Sequence, residues 1–300
     1  MRNSMSTLLR ARLAEGQTSV QTMVMPGAFN AMSAKIIADG GFAVMALPED
    51  GLAATLLGTA KAGLITLDEM AVTARYITAA VKTPLLVDAG GGHGNAINAM
   101  RTADMFIRAG AAGMYLADQD GDDSRDASIP VEEASGKLAA CAHVRDELDP
   151  DFLVIARLDG RAGLNDVIDR AKAYVAAGAD LIYPRGLVGA EQIAHMWATL
   201  QTPMVLDRAE NLSFPASGVA NVADTGQALR WAAGAMWDYL NGFAGEDVGY
   251  VLRFLDQVKQ HPTGNMHEFV GFPAIRELEE RFLPKEDMVA RYENSLGYKP

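Results

Sequence analysis

The chain has 300 residues, 49% of them apolar and 21% charged, enough to bury one large barrel core or two average ones. A formal charge of −12 argues against nucleic acid and against an anionic membrane surface as partners, and no run approaches the roughly 18 apolar residues of a membrane helix. A single cysteine, Cys141, excludes a disulfide framework and fits a reducing, cytoplasmic setting.

The amino-terminal stretch MRNSMSTLLRARLAEG has arginines but no apolar block, so it reads as a short amphipathic helix rather than a secretory signal. Then come seven short apolar runs in order: SVQTMVM, FAVMAL, TPLLVD, AGMYLAD, DFLVIARLD, ADLIYP and TPMVLD. They are near-continuously apolar rather than alternating, as strands covered on both faces are. Between them the spacing predicts amphipathic helices over 30–39, 67–81, 96–109, 131–148 and 164–177. Gly110 and Gly178 suit the left-handed turn that closes a helix. Strand, helix, strand repeated in this way means parallel pairing with helices outside.

An eighth strand, GVANVAD, follows TPMVLD too closely for a full seventh helix. The fold expected is therefore α/β, a (β/α)8 TIM-type barrel with a shortened or missing seventh helix. Its last helix is placed at 227–240. Segments 248–260 and 273–282 are helical by pattern and fall outside the eightfold count. The chain is accordingly divided into a catalytic barrel over 1–240 and a helical extension over 241–300 that packs on a neighbouring subunit of a homo-oligomer, a dimer or tetramer.

The strands end outward in Pro26, Glu49 and Asp50, Asp88, Asp118, Arg157 and Asp159, Arg185, and Asp207 with Arg208. Charges gathered at carboxyl ends, with apolar interiors behind them, are how a closed parallel barrel builds an active site. An open doubly wound sheet would also bind ligands there, but with a Gly-rich phosphate turn after its first strand, and MPGAFNAMSA is not one.

Five segments, PGAFNAMSAKIIADGGF, GLITLDEMAVTARYI, PLLVDAGGGHGNAINAMRTADMFIRAGAAGMYLADQ, DFLVIARLDG and DVIDRAKAYVAAGADLIYP, resemble the isocitrate lyase / phosphoenolpyruvate mutase superfamily in the right order. The resemblance implies a (β/α)8 barrel, commonly tetrameric with an exchanged carboxyl-terminal helix. It also implies cleavage or formation of C–C or P–C bonds in small 2-oxo or 2-hydroxy acids, usually with Mg²⁺, as in methylisocitrate lyase, oxaloacetate decarboxylase and dimethylmalate lyase. The family's chemistry residues are matched less closely. Where its second strand ends in Ser-Gly this chain has Leu47-Pro48-Glu49, and for Asp-Ala-Asp it has Asp88-Ala89-Gly90. For Glu-Asp-Gln it has Ala117-Asp118-Gln119, and Lys61 stands where a further acid would be. The lyases' Lys-Lys-Cys-Gly-His loop is replaced by an acidic run within 118–126, read as a gating loop or a solvated one.

The candidate catalytic residues are Arg157, His93 and Glu49. A guanidinium makes a two-pronged clamp for a carboxylate; the alternative is a structural pair with Asp159 or Asp118. His93, in GGGHGN, is either a proton-exchanging imidazole or a solvated loop residue. Arg157, Asp88, Arg185, Gly91 and Gly92 are the candidate substrate-binding residues, with Arg185 either neutralising a second acid or pairing with Asp207. Asp88 is the candidate metal ligand, with Glu49 or Asp118 as substitutes, so Mg²⁺ or Mn²⁺ is expected to bind weakly or with substrate; no organic cofactor is expected. The leading function is a C–C lyase or decarboxylase on a small 2-hydroxy or 2-oxo acid. The alternatives are a metal-independent hydrolase or lyase using Glu49 and His93, or a non-catalytic acid-binding member.

Overall fold

The computed structural model describes residues 4–18, 23–59, 63–119, 128–161, 163–187, 189–207, 221–225, 228–244 and 248–283. Lys61, Arg208, most of the acidic run (120–126) and the segment 208–220, where the seventh helix was expected to be short or absent, lie outside them.

Eight strands form one all-parallel sheet: β1 (Met23–Pro26), β2 (Met45–Leu47), β3 (Leu85–Asp88), β4 (Gly113–Ala117), β5 (Leu153–Asp159), β6 (Leu181–Arg185), β7 (Met204–Asp207) and β8 (Asn221–Thr225). Each pairs with its sequence neighbour, and β8 pairs with β1. A parallel bridge between Gly27 and Ala46 joins β1 to β2 and closes the ring. The helices are α1 (Met5–Thr18), α2 (Ala31–Asp39), α3 (Glu49–Leu56), α4 (Leu67–Ala80), α5 (Ala96–Arg108) and α6 (Val131–Leu148). They continue with α7 (Leu164–Ala176), α8 (Ala190–Leu200), α9 (Ala228–Ala244), α10 (Val248–Val258), α11 (Met266–Phe269) and α12 (Phe272–Phe282). The starts of several follow from their caps. Asn30, Thr66 and Asn95 each accept from the third helical amide, and that third residue's side chain returns the bond, a capping box.

Alternate strand residues face two cores. Met25, Ala46, Leu86, Tyr115, Ile155, Tyr183 and Val205 fill the barrel with Leu9 and Leu13 of α1, which plugs the amino-terminal end. Met45, Val87, Met114, Val154 and Ile182 face outward and pack under the helices. With α1 at the amino-terminal end, the carboxyl ends of the strands form the opposite rim.

By contacts the chain divides into two compact units, Met1–Ala232 and Ala233–Pro300, a division that falls within α9 rather than after Leu240. In the second unit Trp237, Leu240, Leu252, Ile275 and Phe282 are each more than half exposed. Among the described residues no helix is long and apolar enough to cross a membrane.

Candidate active site

Asp88 ends β3 and Arg157 lies near the end of β5, both on the barrel-facing register, and the sheet brings them together. Arg157 Nη1 donates to Asp88 Oδ2 at 3.0 Å, with both side chains buried. The other oxygen, Asp88 Oδ1, accepts the Gly90 amide at 2.9 Å. The Arg157 guanidinium lies 5.5 Å from the centroid of the Tyr115 ring, and Tyr115 meets Tyr183 edge to face at 5.9 Å. An aromatic floor thus supports a charged pair whose guanidinium is flat and always ionised. The partner of Arg157 is neither Asp159 nor Asp118. Asp159 is held by Arg161 at 2.8 and 3.0 Å, and that bond keeps its carboxyl below the usual range.

The loop after β3 carries the second part of the site. Gly90, Gly92, His93 and Gly94 all have positive φ, 50°, 87°, 57° and 139°. For His93 this left-handed backbone costs on the order of 1–2 kcal/mol, held only where the surroundings enforce it. The His93 Nε2 is buried with no hydrogen-bond partner among the described residues. Burial pushes its pKa below the ordinary value, against the raising charge of Asp88, so the imidazole is neutral near pH 7.

Glu49 reaches the same place from the other side. Pro48 caps α3 without a side-chain bond and Glu49 opens the helix, 5% exposed. Its Oε2 would lie 3.1 Å from a Cβ on Gly90. Glu49, Gly90, Gly91, His93 and Lys137 line one cavity of about 200 Å³. Lys137, on α6, was not anticipated from the sequence. It is 4% exposed and donates to the Gly91 carbonyl at 3.2 Å.

Three expected site residues stand elsewhere. Asp118 follows the barrel-facing Ala117, so its side chain turns to the helix side of β4. There it accepts from Tyr174 Oη at 2.7 Å and from Arg170 Nε at 3.0 Å. Burial raises its pKa against those two partners. A carboxylate committed to α7 is not a substitute ligand at the mouth, which corrects that expectation. Gly92 does not line the cavity either. It is a close-packing position, where a Cβ would stand 3.0 Å from Leu116 Cδ1 and 3.1 Å from Ala99 Cβ. Arg185 ends β6 exposed, beside Asp159, whose charge it influences. Cys141 is buried with its thiol pushed up to about 12, consistent with packing alone.

Among the described residues no three His, Cys, Asp or Glu side chains come together to hold a cation. Asp88 already serves Arg157, and Gly90 supplies no side chain. The donor set of the described residues does not fit a resident divalent ion, which wants several oxygen ligands. A larger apolar groove of about 920 Å³ lies outside the barrel between α2, α3 and α4, and no basic side chain lines it among the described residues. It is lined by two acids, Asp68 and Glu69, of which Glu69 is engaged in the capping box of α4 with Thr66.

Comparison with known proteins adds to this geometry. The profile of a family described as phosphoenolpyruvate phosphomutase matches residues 11–243. The 2,3-dimethylmalate lyase of Eubacterium barkeri is 34% identical over 197 residues, spanning 63% of this chain and 68% of that enzyme. A chloroplastic carboxyvinyl-carboxyphosphonate phosphorylmutase of Arabidopsis thaliana is 42% identical over 181 residues, 56% of this chain; the chain spans about half, 52%, of that protein. A crystal structure of phosphonopyruvate hydrolase in complex with oxalate and Mg²⁺ superposes with a TM-score of 0.80 at 26% identity, covering 94% of this chain and 100% of that one.

Proposed function

The chain belongs to the phosphoenolpyruvate phosphomutase family, and from that premise we propose that it is a carbon–carbon lyase or decarboxylase of a small 2-hydroxy or 2-oxo carboxylic acid, acting through an enolate. The observation that carries the reading is a buried Asp88–Arg157 pair joined, through the Gly90 amide that Asp88 accepts, to a cavity lined by Glu49, Gly90 and His93. Arg157 clamps the substrate carboxylate, with its orientation held by Asp88. Glu49 takes the proton of the 2-hydroxyl, the C–C bond breaks, and its electron pair becomes the enolate. For a 2-hydroxy acid the proton Glu49 has taken then returns to the enolate carbon, directly or through the neutral His93; a 2-oxo acid that loses CO2 offers no hydroxyl proton, and its enolate carbon takes a proton from solvent water.

The donor set favours carrying this chemistry without a resident metal. The related phosphonopyruvate hydrolase holds Mg²⁺ with oxalate; here Mg²⁺ or Mn²⁺ binds weakly, or together with substrate oxygens that complete its shell. The exposed apolar side chains of the second unit favour a homo-oligomer, since faces of that kind are covered by a partner surface.

The test is turnover of purified protein against a panel of 2-oxo and 2-hydroxy acids, with and without Mg²⁺ or Mn²⁺. Cleavage or decarboxylation of one member is expected. Acid binding with no turnover across the panel would overturn the enzyme reading in favour of a binding protein.

A further inference from the structure

The loop at 90–94 is tied by its carbonyls. The Ala117 amide donates to the Gly90 carbonyl at 2.7 Å, Lys137 Nζ to Gly91 at 3.2 Å, and the Thr102 hydroxyl to Gly92 at 3.3 Å. Its amides are used differently. Those of Gly90 and Gly92 are taken by Asp88 and by the Ala89 carbonyl. Those of Gly91, His93 and Gly94 find no acceptor among the described residues, and these three residues line the cavity. Successive backbone N–H groups in such a turn form a concavity suited to an anion.

Lys137 gives this concavity a charge. Its side chain is 5% exposed, and an ammonium brings three N–H donors. One bonds the Gly91 carbonyl; a second is drawn to Glu133 Oε1 at 3.6 Å, a carboxylate that is itself half exposed. The ammonium borders the same cavity as Glu49 and as the unpartnered His93 Nε2. Burying a cation is costly unless its donors are met, so an anionic oxygen in the cavity completes what the protein leaves incomplete. At about 200 Å³ the space suits a small acid and excludes a nucleotide-sized group.

We infer that Lys137 is the fixed cation of this site: with the loop amides it binds the oxygen of a small acid on which the enolate charge develops. This rests on the reading of the site given above. It assigns to an ammonium the charge stabilisation that a divalent ion supplies elsewhere. No atom is added or lost at Lys137, which acts by hydrogen bond and charge.

The experiment uses oxalate as probe, titrated calorimetrically into the full chain in EDTA. Wild-type protein is expected to bind, and Lys137→Met to bind about tenfold to a hundredfold more weakly, with Lys137→Arg between the two. Thermal melts check that the variants fold. If Lys137→Met does not fold, the wild-type protein still decides: the lysine ¹⁵Nζ resonance lost in Lys137→Arg must shift when oxalate is added. Wild-type affinity in folded Lys137→Met, or a Lys137 resonance unmoved at saturating oxalate, overturns the inference. If Arg157→Ala still abolishes binding in that case, only the role of Lys137 is lost; if Arg157→Ala also binds normally, the site itself has been misread.

Discussion

Glu49 and Gly90 share one space: Glu49 Oε2 would lie 3.1 Å from any Cβ placed on residue 90. The carboxylate from the start of α3 fits against the bare backbone of the loop after β3, and that fit presents it to the cavity. Glu49→Gln keeps the shape and loses the basicity. Turnover should fall by about 10²- to 10⁴-fold, the usual contribution of a general base, with oxalate affinity within a few-fold of wild type. A variant that turns over normally would remove Glu49 from the chemistry.

Arg157 makes the opposite division. Truncation to Ala removes a charge-assisted clamp worth on the order of 2 kcal/mol or more to an anionic ligand, so oxalate binding should fall at least thirtyfold, roughly. It also leaves Asp88 buried without its guanidinium, a change that costs about 3–5 kcal/mol of stability where a buried pair is broken. Calorimetry and a denaturant melt on the same sample read both effects. Arg157→Lys should recover part of the stability and less of the binding, because an ammonium cannot make the planar two-pronged contact.

Much of this was legible in the sequence. Near-continuously apolar runs located seven strands, GVANVAD overlapped the eighth, and 3.6-residue periodicity located α2, α4, α5, α6 and α7 to within a residue or two. The helix α3 was not, because Pro48 supplies no side-chain cap and EDGLAATL follows the strand without a turn signal. Asp118 could have been placed by alternation, since Tyr115 and Ala117 face the barrel and the next residue must turn out. Lys137 also left a signal. It falls in phase with Ala134, Leu138 and Cys141 on the buried face of α6, where a surface lysine would not be. The Asp88–Arg157 bond had none, because it joins two strand ends 69 residues apart and depends on the register of the strand between them.

His93 makes activity and stability respond to acid in the same direction. Burial holds its pKa below the ordinary 6.5, so between the folded value and 6.5 the unfolded chain binds more protons. Its contribution to stability is complete above 6.5 and is lost as pH falls through that window. kcat/KM should show an inflection below 6.5 as the neutral imidazole is protonated. His93→Asn should remove the inflection, and its persistence in that variant would assign it to another group.

Asp118 is expected to matter for stability and not for the site. Asp118→Ala strips Tyr174 and Arg170 of their shared acceptor, and Arg170 is only 13% exposed. A loss of about 3 kcal/mol in a denaturant melt is expected, the scale of breaking a buried pair. Oxalate affinity of the folded variant should stay at the wild-type value. The reverse pattern, full stability with lost binding, would return Asp118 to the mouth.

The metal decides how far this chain has moved from its relatives' chemistry. Asp88 gives one oxygen to Arg157 and the other to the Gly90 amide. A divalent ion would have to displace a buried guanidinium to use the first. Mg²⁺ holds its waters tightly and gains affinity from anionic oxygens, so one engaged carboxylate and Glu49 are a poor exchange for its hydration shell. Calorimetric titration of Mg²⁺ or Mn²⁺ into the free protein should therefore show no tight stoichiometric site. Repeated at saturating oxalate, it should show tighter binding, because the ligand brings its own oxygens and linkage makes the coupling reciprocal. A tight site in the free protein, abolished by Asp88→Ala, would mean that Asp88 can leave Arg157 at small cost, and the metal-free reading of the cavity would fail with it.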